Sequence, residues 1–168
     1  MNPLLFIEIV RKFQMPKDVH SFVKLFPELE NVYFSTKSNF YGPTITVFLT
    51  SRRTIIATIY PNGENYILEN RLSGVLNGRS TIWHENGNIH NEGDHGNGGF
   101  QGFWYWNYKN GVRRAEALFE NKNRWKYIQY NSDGKKTEEG IYVDYWKKEG
   151  LWTFYRDDGE TIDRTELH

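Results

Sequence analysis

Cysteine is missing altogether from these 168 residues. Without it the chain has no disulfide framework, no thiolate nucleophile and no thiol metal ligand, which fits a reducing compartment. Net charge is missing as well, with 21 Lys and Arg set against 21 Asp and Glu. A chain without a bulk field has little to hold a nucleic acid or an anionic membrane, so neither is expected as a partner. The basic doublets Arg113-Arg114, Lys135-Lys136 and Lys147-Lys148 are flanked by acids, and they read as charges that guard strand edges. Long hydrophobic runs are also lacking. The run LLFIEIV near the start is seven residues long, contains Glu8 and has no basic lead. It is expected to be neither a signal peptide nor a membrane span. The expected location is therefore intracellular and cytoplasmic.

Aromatic residues are what the chain has in excess, at 17%, and they concentrate after residue 80. The stretch GFWYWNYKNG, residues 102–111, places aromatics on both faces of an extended segment and ends on Asn110-Gly111. Asn-Gly after such a run signals a hairpin, because both residues tolerate positive φ. The signal recurs at Asn62-Gly63, Asn86-Gly87, Asp133-Gly134 and Asp158-Gly159, with glycine spacings of 24, 24, 23 and 25 residues. Nine residues before three of these glycines stand Gly78, Gly102 and Gly150, while the fourth unit has Arg124 ten residues before. A unit reads G-x-W-x-x-Y-x-x-[ND]-G, followed by a charged return strand. A single hairpin is marginal in water, whereas hairpins repeated at a fixed period cover one another. The pattern predicts a mainly β chain, an elongated antiparallel sheet of stacked hairpins, over residues 31–168.

Alternation assigns two faces. Trp104 with Trp106, Tyr127 with Gln129 and Trp152 with Phe154 make the more apolar face, which is assigned to packing. Tyr105 with Asn107, Ile128 with Tyr130 and Thr153 with Tyr155 make the other, with the Tyr-rich composition of a contact surface. Trp83, Tyr105, Tyr130 and Tyr155 are the expected partner-binding residues.

GFWYWNYKNG, RWKYIQYNSDGKKTEEG and GLWTFYRDDGE resemble MORN-type repeats, in the variant found in bacterial antitoxin-like proteins. The resemblance covers about residues 54–163; Ser80 stands where the unit at 78–87 should carry an aromatic, and the unit ending at Gly63 fits poorly. It implies stacked hairpins and a scaffolding or partner-binding role, with no catalytic residues to carry over.

Residues 1–30 lack the turn period. Asn2-Pro3 opens a helical pattern through Phe6, Ile9, Val10 and Phe13; after Met15-Pro16-Lys17-Asp18, a second stripe of Val19, Phe22, Val23 and Phe26 runs to Pro27. A short helical hairpin is expected, with strands at 32–35, 44–49 and 54–60 joined by turns at 37–39 and 51–53. EIVRKFQMPKDVHSF resembles the opening of an F-box, although the usual Leu-Pro start and a Trp-containing third helix are missing. That resemblance implies docking to a Skp-type adaptor through Ile9, Val10, Pro16, Val19 and Phe22. A structural helical cap on the sheet is the preferred reading of the same helices.

The residues argue against chemistry. His84, His90, His95, Glu92 and Asp94 cluster in sequence, but a metal needs imidazoles that converge. A two-residue turn at Asn86-Gly87 would send His84 and His90 to opposite faces, and only a loop of odd length would bring them together, so no metal and no cofactor are expected. GDHGNGGFQG leads into a strand pattern, not the helix a phosphate cradle requires, and is read as a flexible loop. Asp157-Asp158 and Glu138-Glu139 sit beside turns, and adjacent strand residues face apart. The expected function is a non-catalytic interaction or scaffolding module for a protein partner. The resemblances imply the alternatives: an F-box-like ubiquitin-ligase adaptor, a structural or assembly component of a large-virus particle, whose location would be the particle, and an antitoxin-like inhibitor of a toxin.

Overall fold

The computed structural model describes residues 33–39, 42–48, 52–121, 123–144 and 146–168. Within them every regular element is a strand: β1 Tyr33–Asn39, β2 Gly42–Phe48, β3 Arg53–Ile59, β4 Asn65–Leu72, β5 Val75–Trp83, β6 Ile89–Gly96, β7 Gly99–Asn107, β8 Arg113–Asn121, β9 Arg124–Tyr130, β10 Lys136–Val143, β11 Lys147–Tyr155 and β12 Ile162–Leu167. They form one open antiparallel sheet in which spatial order follows chain order. The expected helical hairpin of residues 1–30 lies outside the described residues. The turn expected at 37–39 is strand instead: Lys37, Ser38 and Asn39 pair with Thr44, Pro43 and Gly42, so the reversal falls later.

All five periodic glycines hold the same conformation in their turns. Gly63, Gly87, Gly111, Gly134 and Gly159 have φ between 77° and 87°, and each donates its N–H to the carbonyl three residues back. The first four loops close further through a bond between the residues flanking Gly, such as His84 N–H to the Asn88 carbonyl at 2.8 Å. This is a three-residue loop with glycine in the left-handed position, followed by a bulge where Trp83 pairs with Ile89 and Ile82 with Asn91. The side-chain amide carries the period from turn to turn. Asn62 donates to the Glu85 carbonyl, Asn86 to Lys109 and Asn110 to Ser132, at 2.9, 2.7 and 3.4 Å. Asp133 and Asp158, in the last two turns, have no amide hydrogen with which to continue that ladder.

The opposite edge has its own turns. Ser73-Gly74 and Asn97-Gly98 are two-residue loops with positive φ at both positions, as a type I′ hairpin requires. The glycine-rich segment read as a flexible loop is therefore strand to Gly96 and from Gly99, folded over Asn97-Gly98. Gly78, Gly102 and Gly150 also hold positive φ, at 96°, 65° and 67°, and each lies where the register slips against the preceding strand.

One face of the second half is aromatic and buried. Trp152 is fully buried and Trp104 is 2% exposed. Trp104 gathers with Ala117, Phe119 and Trp125, against which Trp106, Tyr127 and Tyr142 pack. Two indoles lie over glycines: a Cβ on Gly93 would meet Trp104 at 2.3 Å, and one on Gly140 would meet Trp152 at 2.4 Å. Each indole then donates its N–H to a carbonyl of the preceding return strand, Trp104 to Asp94 and Trp152 to Ile141. In the first half the buried cluster changes sides. Ala57 pairs with Leu68 and Leu68 with Thr81, which puts Ala57, Leu68 and Trp83 on the face of Tyr105, and these three form the core there.

Candidate functional site

Register and alternation bring Tyr105, Tyr130 and Tyr155 onto one face. Tyr105 pairs with Glu116, Glu116 with Ile128 and Ile128 with Glu139, while Glu139 pairs with Thr153. A row of glutamates thus runs between the tyrosines. Tyr130 donates its hydroxyl to Glu116 at 2.9 Å, and Tyr155 donates to Glu139. Lys136 pairs with Glu139 at 3.3 Å and lies over the Tyr155 ring at 4.9 Å. The Arg113 guanidinium sits 4.2 Å from the centre of the Tyr105 ring. Phe103 stacks beside Tyr105 with an interplanar angle of 3° and is 57% exposed.

These contacts set the protonation of the row. Burial first, then the hydrogen bond and negative charge of Glu116, push the Tyr130 hydroxyl up to about 12. The bond to Glu139 raises Tyr155. Burial would raise Glu139, but the bonds from Tyr155 and Lys136 outweigh it and hold the carboxyl below its ordinary value. Both phenols are donors at neutral pH, fixed in place by acids. The acids are the part that sequence reasoning missed. Glu92, Glu116 and Glu139 each fall five residues after a turn glycine, a recurrence that aligning the return strands would have exposed.

Trp83 departs from its expected role. It shares the face of Tyr105 but is 6% exposed, packed with Ala57 and Leu68, so it is a core residue in this chain. Ile9, Val10, Pro16, Val19 and Phe22 lie outside the described residues. The histidines depart too. The three-residue loop puts His84 and His90 on the same face, their rings 4.6 Å apart edge to face, where a two-residue turn would have separated them. Burial, then the neighbouring charges of His84 and Arg114, lower the His90 pKa. Among the described residues no three His, Asp or Glu side chains converge as a metal site, and no helix is long and apolar enough to cross a membrane.

No family model matches the chain, and no curated protein matches it. Among solved structures, the crystal structure of TarM is similar at a TM-score of 0.33 and 11% identity, over 74% of this chain and 26% of that one. The chain thus spans about a quarter of the TarM chain's length, and a likeness at this level assigns neither fold nor function.

Proposed function

We propose that the chain is a non-catalytic protein-interaction or scaffolding module of MORN-like repeats, whose tyrosine face is the contact surface. The observation that carries this reading is the ordered row of Tyr105, Tyr130 and Tyr155, with two of its hydroxyls anchored on glutamates. Large aromatic side chains held in one conformation give contact area at little entropic cost. Phe103 adds an exposed apolar ring at one end of the row. Trp83 is left out of the surface because it packs inward.

The test is capture of the binding partner by the parent chain and by a Tyr130→Ala, Tyr155→Ala double variant. Loss of roughly 2 kcal/mol or more of binding, as at a hot spot, with an unchanged circular dichroism spectrum supports the reading. Undiminished capture by a folded double variant overturns it. The adaptor reading is separated in the same experiment. Phe22→Asp should abolish capture of a Skp-type adaptor while leaving partners of the repeat face bound.

A further inference from the structure

His84 and His90 flank the Asn86-Gly87 turn, three residues before its glycine and three after. A two-residue turn would part them. The loop here is of odd length, and the two rings lie 4.6 Å apart at 73°. Two imidazoles bound side by side to one ion, each nitrogen about 2.1 Å from it, have ring centres roughly 4.5–5.5 Å apart. The observed separation falls in that range.

The repeat shows which nitrogen of His84 is already engaged. Tyr60, His84 and Tyr108 hold the same place before successive turn glycines, and each reaches a carbonyl of the next unit. Tyr60 donates its hydroxyl to Trp83 at 2.9 Å and Tyr108 to Tyr130 at 3.0 Å, while His84 Nε2 lies 3.1 Å from the Asn107 carbonyl. A carbonyl only accepts, so Nε2 carries the proton and Nδ1 keeps its lone pair. Histidines that ligate metals are oriented in this way, by giving their other N–H to a carbonyl or a carboxylate. Asn107 in turn donates its side-chain amide to the Ile89 carbonyl at 3.0 Å, which ties it to the residue before His90. Both histidines are half-buried, and none of their ring nitrogens is among the sealed atoms that lack a partner. Solvent therefore reaches the nitrogens that the strands leave free. Burial, then the charges of His84 and Arg114, lower the His90 pKa, which keeps that ring neutral, as a ligand must be.

We propose that His84, through Nδ1, and His90 form a two-imidazole site for a divalent transition-metal ion, with water in the remaining positions. Neutral imidazole selects Zn(II) and Cu(II) over Mg(II) and Ca(II), which take oxygen ligands. No group of three His, Asp or Glu among the described residues supplies a third ligand, so the ion stays open to water and exchanges. Arg114 opposes the ion by its charge and limits the affinity.

The experiment titrates the full chain with Zn(II), with Cu(II), and with Mg(II) as control, in a non-coordinating buffer at about pH 7.5, where histidine is mostly neutral. Imidazole signals are followed by NMR and the Cu(II) nitrogen pattern by EPR. Zn(II) should move the His84 and His90 signals together and saturably, ahead of the other three histidines, and Cu(II) should show two nitrogens. His84→Tyr copies Tyr60 and Tyr108, and His90→Tyr copies Tyr66, whose ring lies 4.8 Å from that of Tyr60. Both variants keep the ring packing, so they should fold as the parent does and bind Zn(II) roughly tenfold more weakly or worse. Arg114→Gln should tighten binding. The proposal is overturned if Zn(II) leaves both signals unmoved up to about 1 mM, if His84→Tyr binds as the parent does, or if Mg(II) gives the same response.

Discussion

At the scale of the residue, the contact between an indole and a missing side chain governs the second half of the sheet. Trp152 lies over Gly140 and Trp104 over Gly93, each at a distance where a Cβ cannot stand. Trp152→Ala and Trp104→Ala should each cost about 3–5 kcal/mol, the range for deleting a buried large aromatic. Gly140→Ala should cost about 1–3 kcal/mol through overpacking, because the methyl displaces the indole. The two changes share one space, so the double variant Gly140→Ala, Trp152→Ala should be clearly less destabilised than the sum of the single changes. Chemical denaturation of the four proteins measures this, and simple additivity would show that the indole and the glycine do not constrain each other. The histidines make a second prediction at this scale. Burial lowers the pKa of His90 and of His95 below the usual 6.5, so the folded state resists protonation that the unfolded chain accepts. Their stabilising contribution is complete above that unfolded value and is lost as pH falls through the lowered folded values. Denaturation midpoints should therefore decline below about pH 6.5, the ordinary histidine value, and the decline should be shallower in His90→Gln.

At the scale of the element, the first three Asn-Gly turns are each tied to the next turn by a side-chain amide. Asn86 accepts the Asn88 N–H within its own turn and donates to the Lys109 carbonyl in the next. Asn86→Asp keeps the first bond and removes the second, placing a carboxylate against a carbonyl oxygen. It should cost about 0.5–1.5 kcal/mol, the net worth of one hydrogen bond, and Asp133→Asn should cost nothing comparable, since Asp133 makes no such rung. Thermal melts of both variants check the contrast. The turns were legible in the sequence because Asn-Gly and Asp-Gly announce positive φ whatever surrounds them. Gly93, Ala117 and Gly140 were not, because a small residue under the aromatic ring of the next strand has no local signature. They appear only when the return strands are aligned, six residues after each turn glycine. Trp83 was misjudged for a related reason. Its strand carries Ser80 where later units carry Trp104 or Trp152, and with that position polar the core forms on the other face. The relation of His84 to His90 was lost to a single residue of loop length, since a loop of three in place of two reverses which side chains share a face.

At the scale of the whole molecule, a sheet whose spatial order follows its chain order has contacts chiefly between neighbours. Stability in such arrays behaves as a sum of unit terms and nearest-neighbour interfaces. Residues 88–111 run from just after one turn glycine to the next, so deleting them joins Gly87 to Val112 and leaves one complete turn. Ser80 would then face Ala117 as it now faces Gly93, and the Asn86 amide would meet the Ser132 carbonyl that Asn110 now reaches. The shortened chain should keep its β-sheet circular dichroism and unfold cooperatively. Its denaturant m-value should be smaller, because less surface is exposed on unfolding, and its midpoint lower, because Trp104 is gone. Deleting only residues 88–99 removes β6 and its turn without its partner β7. β7 would then follow β5 over the Asn86-Gly87 turn in the place of β6, so Trp104 loses Gly93 and the later Asn-Gly and Asp-Gly turns fall on the edge opposite Asn86-Gly87, out of reach of its amide. Far-UV spectra and urea titrations of the two deletions carry the comparison: if the 24-residue deletion unfolds the chain while the 12-residue one is tolerated, the repeat read from the turn glycines is not the unit of folding.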